Sequence, residues 1–190
     1  MSESGPPGVG TETPSAAGAP TSHGRTARSF GERLVGALKL EADVYEEIEH
    51  DPSALGQAAG VVALGALAQG LAFVHVGFGG VVGGIVAGLI GWVLATAVVW
   101  AIGVKLMDHT SDFSELLRTL GFASAPKVLM VIGLLPIGPL RGLLSVAVAI
   151  LTLVAFLIAV RQALDVSTGR AAWVCVLAVL ASMALLLLVG

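Results

Sequence analysis

Acidic residues are missing from three long tracts of this chain: 52–107, 116–164 and 166–190. Within those tracts lie apolar runs of about 20 residues, the length a helix needs to cross a bilayer core. Hydrophobic residues make up 56 % of the 190 residues and charged residues 12 %, against about 25 % charged in soluble domains. Mean hydropathy is +0.92. A water-soluble domain of this size could not hide that much apolar surface, so the composition predicts an all-α integral membrane protein. The net charge of −3 gives no case for nucleic-acid binding. Cys175 is the single cysteine, so no internal disulfide can form. The four histidines are scattered without metal-ligand spacing, and no metal or cofactor is expected.

The chain reads as three regions. Residues 1–27 hold four of the eight prolines amid Gly, Ser and Thr. They bury too little apolar surface to offset ordering entropy, and they predict a disordered tail. No apolar core of a signal peptide is present there. Residues 28–51 predict one amphipathic helix. Phe30, Leu34, Leu38, Ala42, Tyr45 and Ile48 recur at helical steps on one face, with Glu32, Arg33, Lys39, Asp43, Glu46 and Glu47 on the others. The acidic second half should repel an anionic leaflet, which favours a cytosolic helix docked on the membrane domain over an interfacial anchor. Asp51 can cap the next helix, and Pro52 suits its first turn.

Residues 52–190 predict a bundle of five transmembrane helices, at about 54–75, 80–104, 118–137, 140–160 and 170–190. "VGFGG" at 76–80 reads as a tight turn. Basic residues set the orientation. With the N-terminus cytoplasmic, Arg25, Arg28, Arg33, Lys39, Lys105, Arg118, Arg161 and Arg170 all fall inside, and only Arg141 falls outside. Gly80, Gly84 and Gly88 repeat every four residues, as do Gly83, Ala87, Gly91 and Ala95. Such ridges let helix backbones approach closely in lipid, within one subunit or across a homo-oligomer seam.

No carboxylate falls inside a span, which argues against an ion-coupled carrier. Gln57, Gln69, Thr96, Ser124, Ser145 and Thr152 remain as polar groups in the spans, and no nucleophile, base and orienter can be assembled from them. In the loop between the second and third spans, Asp112 and Glu115 fit a capping box for the next helix. Arg161 and Asp165, four apart, are spaced to pair across a helical turn, with interface snorkelling and capping as the plainer roles. The exceptional site is Pro126–Lys127. Lys127 lies nine residues beyond Arg118, about 13–14 Å along a straight helix, nearly half of a core of about 30 Å. The expected solution is a helix that starts near Phe113, enters obliquely and kinks at Pro126. The lysine then snorkels at the kink, meets freed carbonyls in the bundle, or binds an anionic group such as a lipid phosphate.

The tracts "RLVGALKLEADVYEEIEHDPSALGQA", "FSELLRTLGFASAPKVLMVIGLLPIG" and "AVRQALDVSTGRAAW" together resemble the bacterial branch of the Yip-one domain family, in order over residues 28–190. The carrying elements are the acidic helix closing on Asp51–Pro52, the segment Leu116–Pro126 and the segment Ala159–Asp165. The resemblance implies a polytopic membrane protein without catalysis. Eukaryotic relatives bind prenylated Rab-type GTPases on their cytosolic side. Their Asp-Leu-Tyr-Gly-Pro type motif is absent here; "ADVYEEIEHD" stands near its place.

Two functions follow as expectations. One is a non-enzymatic membrane-organising or protein-interaction module of the plasma or inner membrane, whose partners are the bilayer and a protein bound on the cytosolic face. The other is a small-solute permease with a water-accessible path past Lys127, Gln57 or Gln69.

Overall fold

The structure, a computed structural model, describes residues 1, 28–72, 77–106, 111–135, 138 and 140–189. The predicted tail at 2–27 lies outside the described residues, as do Asp108, His109, Pro136 and Pro139. All regular structure among the described residues is helical.

The first helix begins where Ser29 and Glu32 cap each other. The Ser29 N–H donates to the Glu32 carboxylate at 2.7 Å, and the Glu32 N–H reaches Ser29 Oγ at 3.4 Å. This reciprocal pair starts α1, Phe30–Leu38. The continuous helix expected over 28–51 is not what forms: α1 stops, and α2 runs separately over Ala42–His50. Leu40 takes a left-handed φ of 62°. The Leu40 N–H then donates to the Ala37 carbonyl at 3.1 Å and the Glu41 N–H to the Gly36 carbonyl at 3.0 Å, the two bonds of a Schellman turn. Neither glycine nor proline marks this turn, so the apolar period runs straight through it in the sequence. The two helices fold back on each other so tightly that a Cβ on Gly36 would stand 2.5 Å from Val44 Cγ2.

The remaining elements are α3 (Ala54–Ala72), α4 (Gly77–Trp100) continued by a π-helical turn (Ala101–Leu106), α5 (Phe113–Phe122), a 3₁₀ segment (Ala125–Leu134), α6 (Leu140–Ala163) and α7 (Thr168–Val189). The tight turn expected at 76–80 is instead helical from Gly77 onward. Four segments are long and apolar enough to cross a membrane: Ala54–Ala72, Gly79–Val104, Phe113–Leu134 and Leu140–Ala163. α7 contributes a shorter apolar stretch over Thr168–Ala181.

The third of these is the innermost. Its apolar window is 61 % buried, against 17 to 33 % for the other three. The expected kink is present, but the chain continues past it as 3₁₀ rather than α-helix. Ser124 N–H donates to the Gly121 carbonyl at 3.1 Å and Lys127 N–H to the Ser124 carbonyl at 3.0 Å, both i to i−3 bonds around Pro126, which has no N–H to give. At about 2.0 Å rise per residue a ten-residue 3₁₀ run covers about 20 Å, where α-helix would cover about 15 Å. That extra reach offsets the short supply of residues between Lys127 and Arg141.

Packing closes a ring: α3 lies on α4, α4 on α7, α7 on α6, α6 on the 3₁₀ segment and that segment on α3. The hairpin and α5 cover one end. Val44, Tyr45 and Ile48 are fully buried there with Leu116, Leu120, Phe122 and Val160. At roughly 1.5–3 kcal/mol for each large apolar side chain buried, α2 is part of the core and not a tethered appendage. Ala68, Ala72, Met130 and Val148 form a second buried cluster toward the other end, between α3, the 3₁₀ segment and α6, but α4 and α7 pack tightly at the hairpin end only. Thr96 and Val99 are the buried residues of α4, and α7 is buried at Ala171, Val174, Cys175 and Ala178. Beyond them both helices are open along their described length.

Candidate functional site

Two basic side chains define the sites of interest, one buried in the hairpin and one half-buried in the ring. The sequence reading set Arg33 on a solvent face. The structure buries it, at 1 % exposure, among the carboxylates of α2 and the start of α3. Its Nε donates to Glu47 Oε1 at 3.1 Å, one terminal nitrogen donates to Gln57 Oε1 at 3.2 Å, and the other to the Asp51 carboxylate. Glu47 also accepts from Arg28, whose terminal nitrogens reach Glu47 Oε2 at 3.0 Å and Asp43 Oδ2 at 2.7 Å. The chain of charges Asp43–Arg28–Glu47–Arg33–Asp51 thus clasps α1, α2 and α3 together. The hydroxyl and N–H of Ser53, and Arg33 behind them, hold the Asp51 carboxyl below its usual range. Asp51 still introduces α3, since its carbonyl accepts from the Ala54 N–H at 3.0 Å; the exposed Pro52 sits in the turn before the helix rather than in its first turn.

Arg118 belongs to the same end. It is 6 % exposed on α5 and donates to Ser114 Oγ at 3.1 Å and to the Glu49 carbonyl at the end of α2. Its Nε is buried without a partner. Asp112 and Glu115 form the expected capping box of α5. Asp165 does not pair with Arg161 among the described contacts. It ends α6 at φ 49°, with the Val166 N–H donating to the Arg161 carbonyl at 3.2 Å and the Asp165 N–H to the Gln162 carbonyl at 3.0 Å, a second Schellman turn. Arg161 itself is exposed. Glu49 faces Asp165 and Glu115; burial, reinforced by these like charges, pushes its carboxyl up to about 7.

Lys127 sits in the ring. Its Cβ and the Ser124 carbonyl lie 3.0 and 3.4 Å from where a Cβ on Gly65 would stand, so Gly65 admits the 3₁₀ segment at this level. Gly65 is eleven residues past Ala54, about 16 Å along α3. From there Lys127 faces two adjoining cavities of about 520 and 580 Å³. Gln69, Thr152 and Phe156 border both. No carboxylate lines either cavity, and among the described residues the Lys127 side chain makes no hydrogen bond or ion pair. The glycines of α4 are open where the sequence expects close helix packing. Gly88 does approach Ala66, at 3.2 Å for an added Cβ, but Gly83, Gly84 and Gly91 have nothing within 4 Å. Gly80, Gly84, Gly88 and Gly91 form a wall of the first cavity.

Sequence reasoning missed the role of Arg33, although the Ser29–Glu32 capping signature could have fixed where α1 starts and so which face Arg33 takes. It found Lys127 and Pro126 because both residue types are out of place in an apolar run.

An all-helical chain with four membrane-length apolar segments and a docked helical hairpin is a polytopic membrane protein. The Yip1 domain family model matches residues 36–190, and the chain belongs to that family. No curated protein and no solved structure matches it.

Proposed function

We propose that this protein is a non-enzymatic membrane-organising module that binds a protein partner through a fixed cytosolic surface. In this reading five helices cross the membrane, α7 being the fifth. The N-terminus is cytoplasmic, the orientation that leaves Arg141 alone on the far side. The membrane is the plasma or inner membrane. The observation that carries the reading is the clasp. A chain that needed its amphipathic segment only as a tether would have no use for a buried arginine with three side-chain partners. Here α1 and α2 are fastened into a rigid cap, and Lys39, Glu46 and Asp112 are displayed at its surface. Rigid display lowers the ordering cost of binding a partner.

The test places a photo-crosslinking residue at Lys39, Glu46 or Asp112, and at Leu140 or Gly142 on the opposite end, in the full chain in native membranes. The expected result is one shared protein adduct from the cap positions and lipid or no adduct from the opposite end. Lipid adducts alone from every position would overturn the reading. Reporter fusions at the two termini test the topology, and reporters that both respond on the same side of the membrane would sink it.

A further inference from the structure

We propose that the ring cavity is a binding site for an anionic phospholipid, with the phosphate on Lys127 and acyl chain along the glycine wall of α4. The inference needs the spans to lie in a bilayer but not the cytosolic partner. A lysine at this depth has a large desolvation cost unless an anion or water compensates it. The chain supplies no anion at this site: no Asp or Glu lines either cavity, and none occurs between Leu116 and Leu164. Ser124, Gln69, Thr152 and Ser145 are polar residues of the lining around Lys127, and most of the rest is apolar. An occupant must therefore combine one negative charge with hydrocarbon. Cavity volumes of about 520 and 580 Å³ fall within the range of about 300–1,000 Å³ usual for ligand sites.

Access is lateral. Among the described side chains, burial on α4 stops at Thr96 and on α7 at Ala178, so the ring parts between these helices toward the end away from the hairpin. α4 and α6 do not close the gap between them. Side chains at Gly80, Gly84 or Gly91 would line the first cavity, and their absence leaves a trough along its wall. The bilayer itself is the reservoir of a molecule with this chemistry, which favours a phospholipid over a free fatty acid.

The experiment uses the purified full chain in nanodiscs of phosphatidylcholine doped with phosphatidylglycerol of the same acyl chains, followed by native mass spectrometry of retained lipid. One retained phosphatidylglycerol per chain, preferred at least tenfold over phosphatidylcholine, is expected. Lys127→Gln should abolish the preference, and Lys127→Arg should keep most of it. A Cβ added at Gly84 meets no atom within 4 Å, and Gly84→Leu would extend into the trough; it should lower retention of both lipids at least fivefold in a chain that remains folded. Arg170→Gln, exposed at the start of α7, should change nothing. Equal retention of the two lipids by the wild type, an undiminished preference in Lys127→Gln, or displacement by oleate but not by added phosphatidylglycerol would each overturn the assignment.

Discussion

Arg33 and Lys127 are both basic side chains set within the helical packing, yet their surroundings are opposites. Arg33 meets two carboxylates and an amide oxygen in fixed geometry. Lys127 meets no counter-charge and faces open space. The guanidinium suits the first setting because its planar fork can serve several acceptors at once, and the flexible ammonium suits a site whose partner arrives from outside. The hairpin thus spends its charge on holding itself together, and the ring keeps its charge available.

The contrast makes predictions of unequal size. Arg33→Met leaves Glu47 and Asp51 without their shared cation, and should cost about 3 kcal/mol. A fall in melting temperature of the detergent-solubilised chain would measure it. Arg33→Lys should recover only part of the loss; full recovery would show that charge alone matters and geometry does not. Lys127→Met should act in the opposite direction, stabilising the protein by about 2 kcal/mol in phosphatidylcholine, where the ammonium has no anion. That gain should shrink when phosphatidylglycerol is present. Destabilisation in both lipids would erase the distinction between the two cations.

Leu40→Gly tests the hairpin without touching its charges. A non-glycine residue in the left-handed region carries strain of about 1 kcal/mol, but Leu40 also packs on the core, where a half-buried leucine contributes about 1 kcal/mol, so the substitution should leave the melting temperature nearly unchanged. At Glu49 the expected effect depends on pH. Its carboxyl is raised in the folded state to about 7 from an ordinary value of 4.5. The stability this group confers is complete below about pH 4.5 and is lost as pH rises through about 7, because the folded environment disfavours the charge. Glu49→Gln should flatten that slope and stabilise the cap more at pH 8 than at pH 5. Melting curves at the two values decide it, and an unchanged slope would remove Glu49 from the account.

Much of this fold was legible because lipid imposes a simple rule. Carboxylate-free apolar tracts of span length became α3, α4 and α6, and the odd pair Pro126–Lys127 announced the broken third segment. Three features were not legible, each for a local reason. The break at Leu40 has no glycine or proline to signal it, and tertiary packing against Gly36 selects it. Arg33 was assigned to water by residue type, and only the fold-back brings Glu47 and Asp51 to it. The glycines of α4 satisfy the pattern of a packing ridge equally well whether the facing helix is close or distant, and here α6 stands away.

The 3₁₀ form of Ala125–Leu134 also controls which side chains share a row. At 120° per residue, positions three apart eclipse one another, which stacks Ser124, Lys127, Met130 and Gly133 in a straight file along α3. Rewinding the same ten residues to 100° per residue would draw the strut in by about 5 Å and swing Met130 by about 60° relative to Lys127. The height of the span and the face it shows to the void are therefore one mechanical variable, adjusted by the pitch of about three turns of backbone.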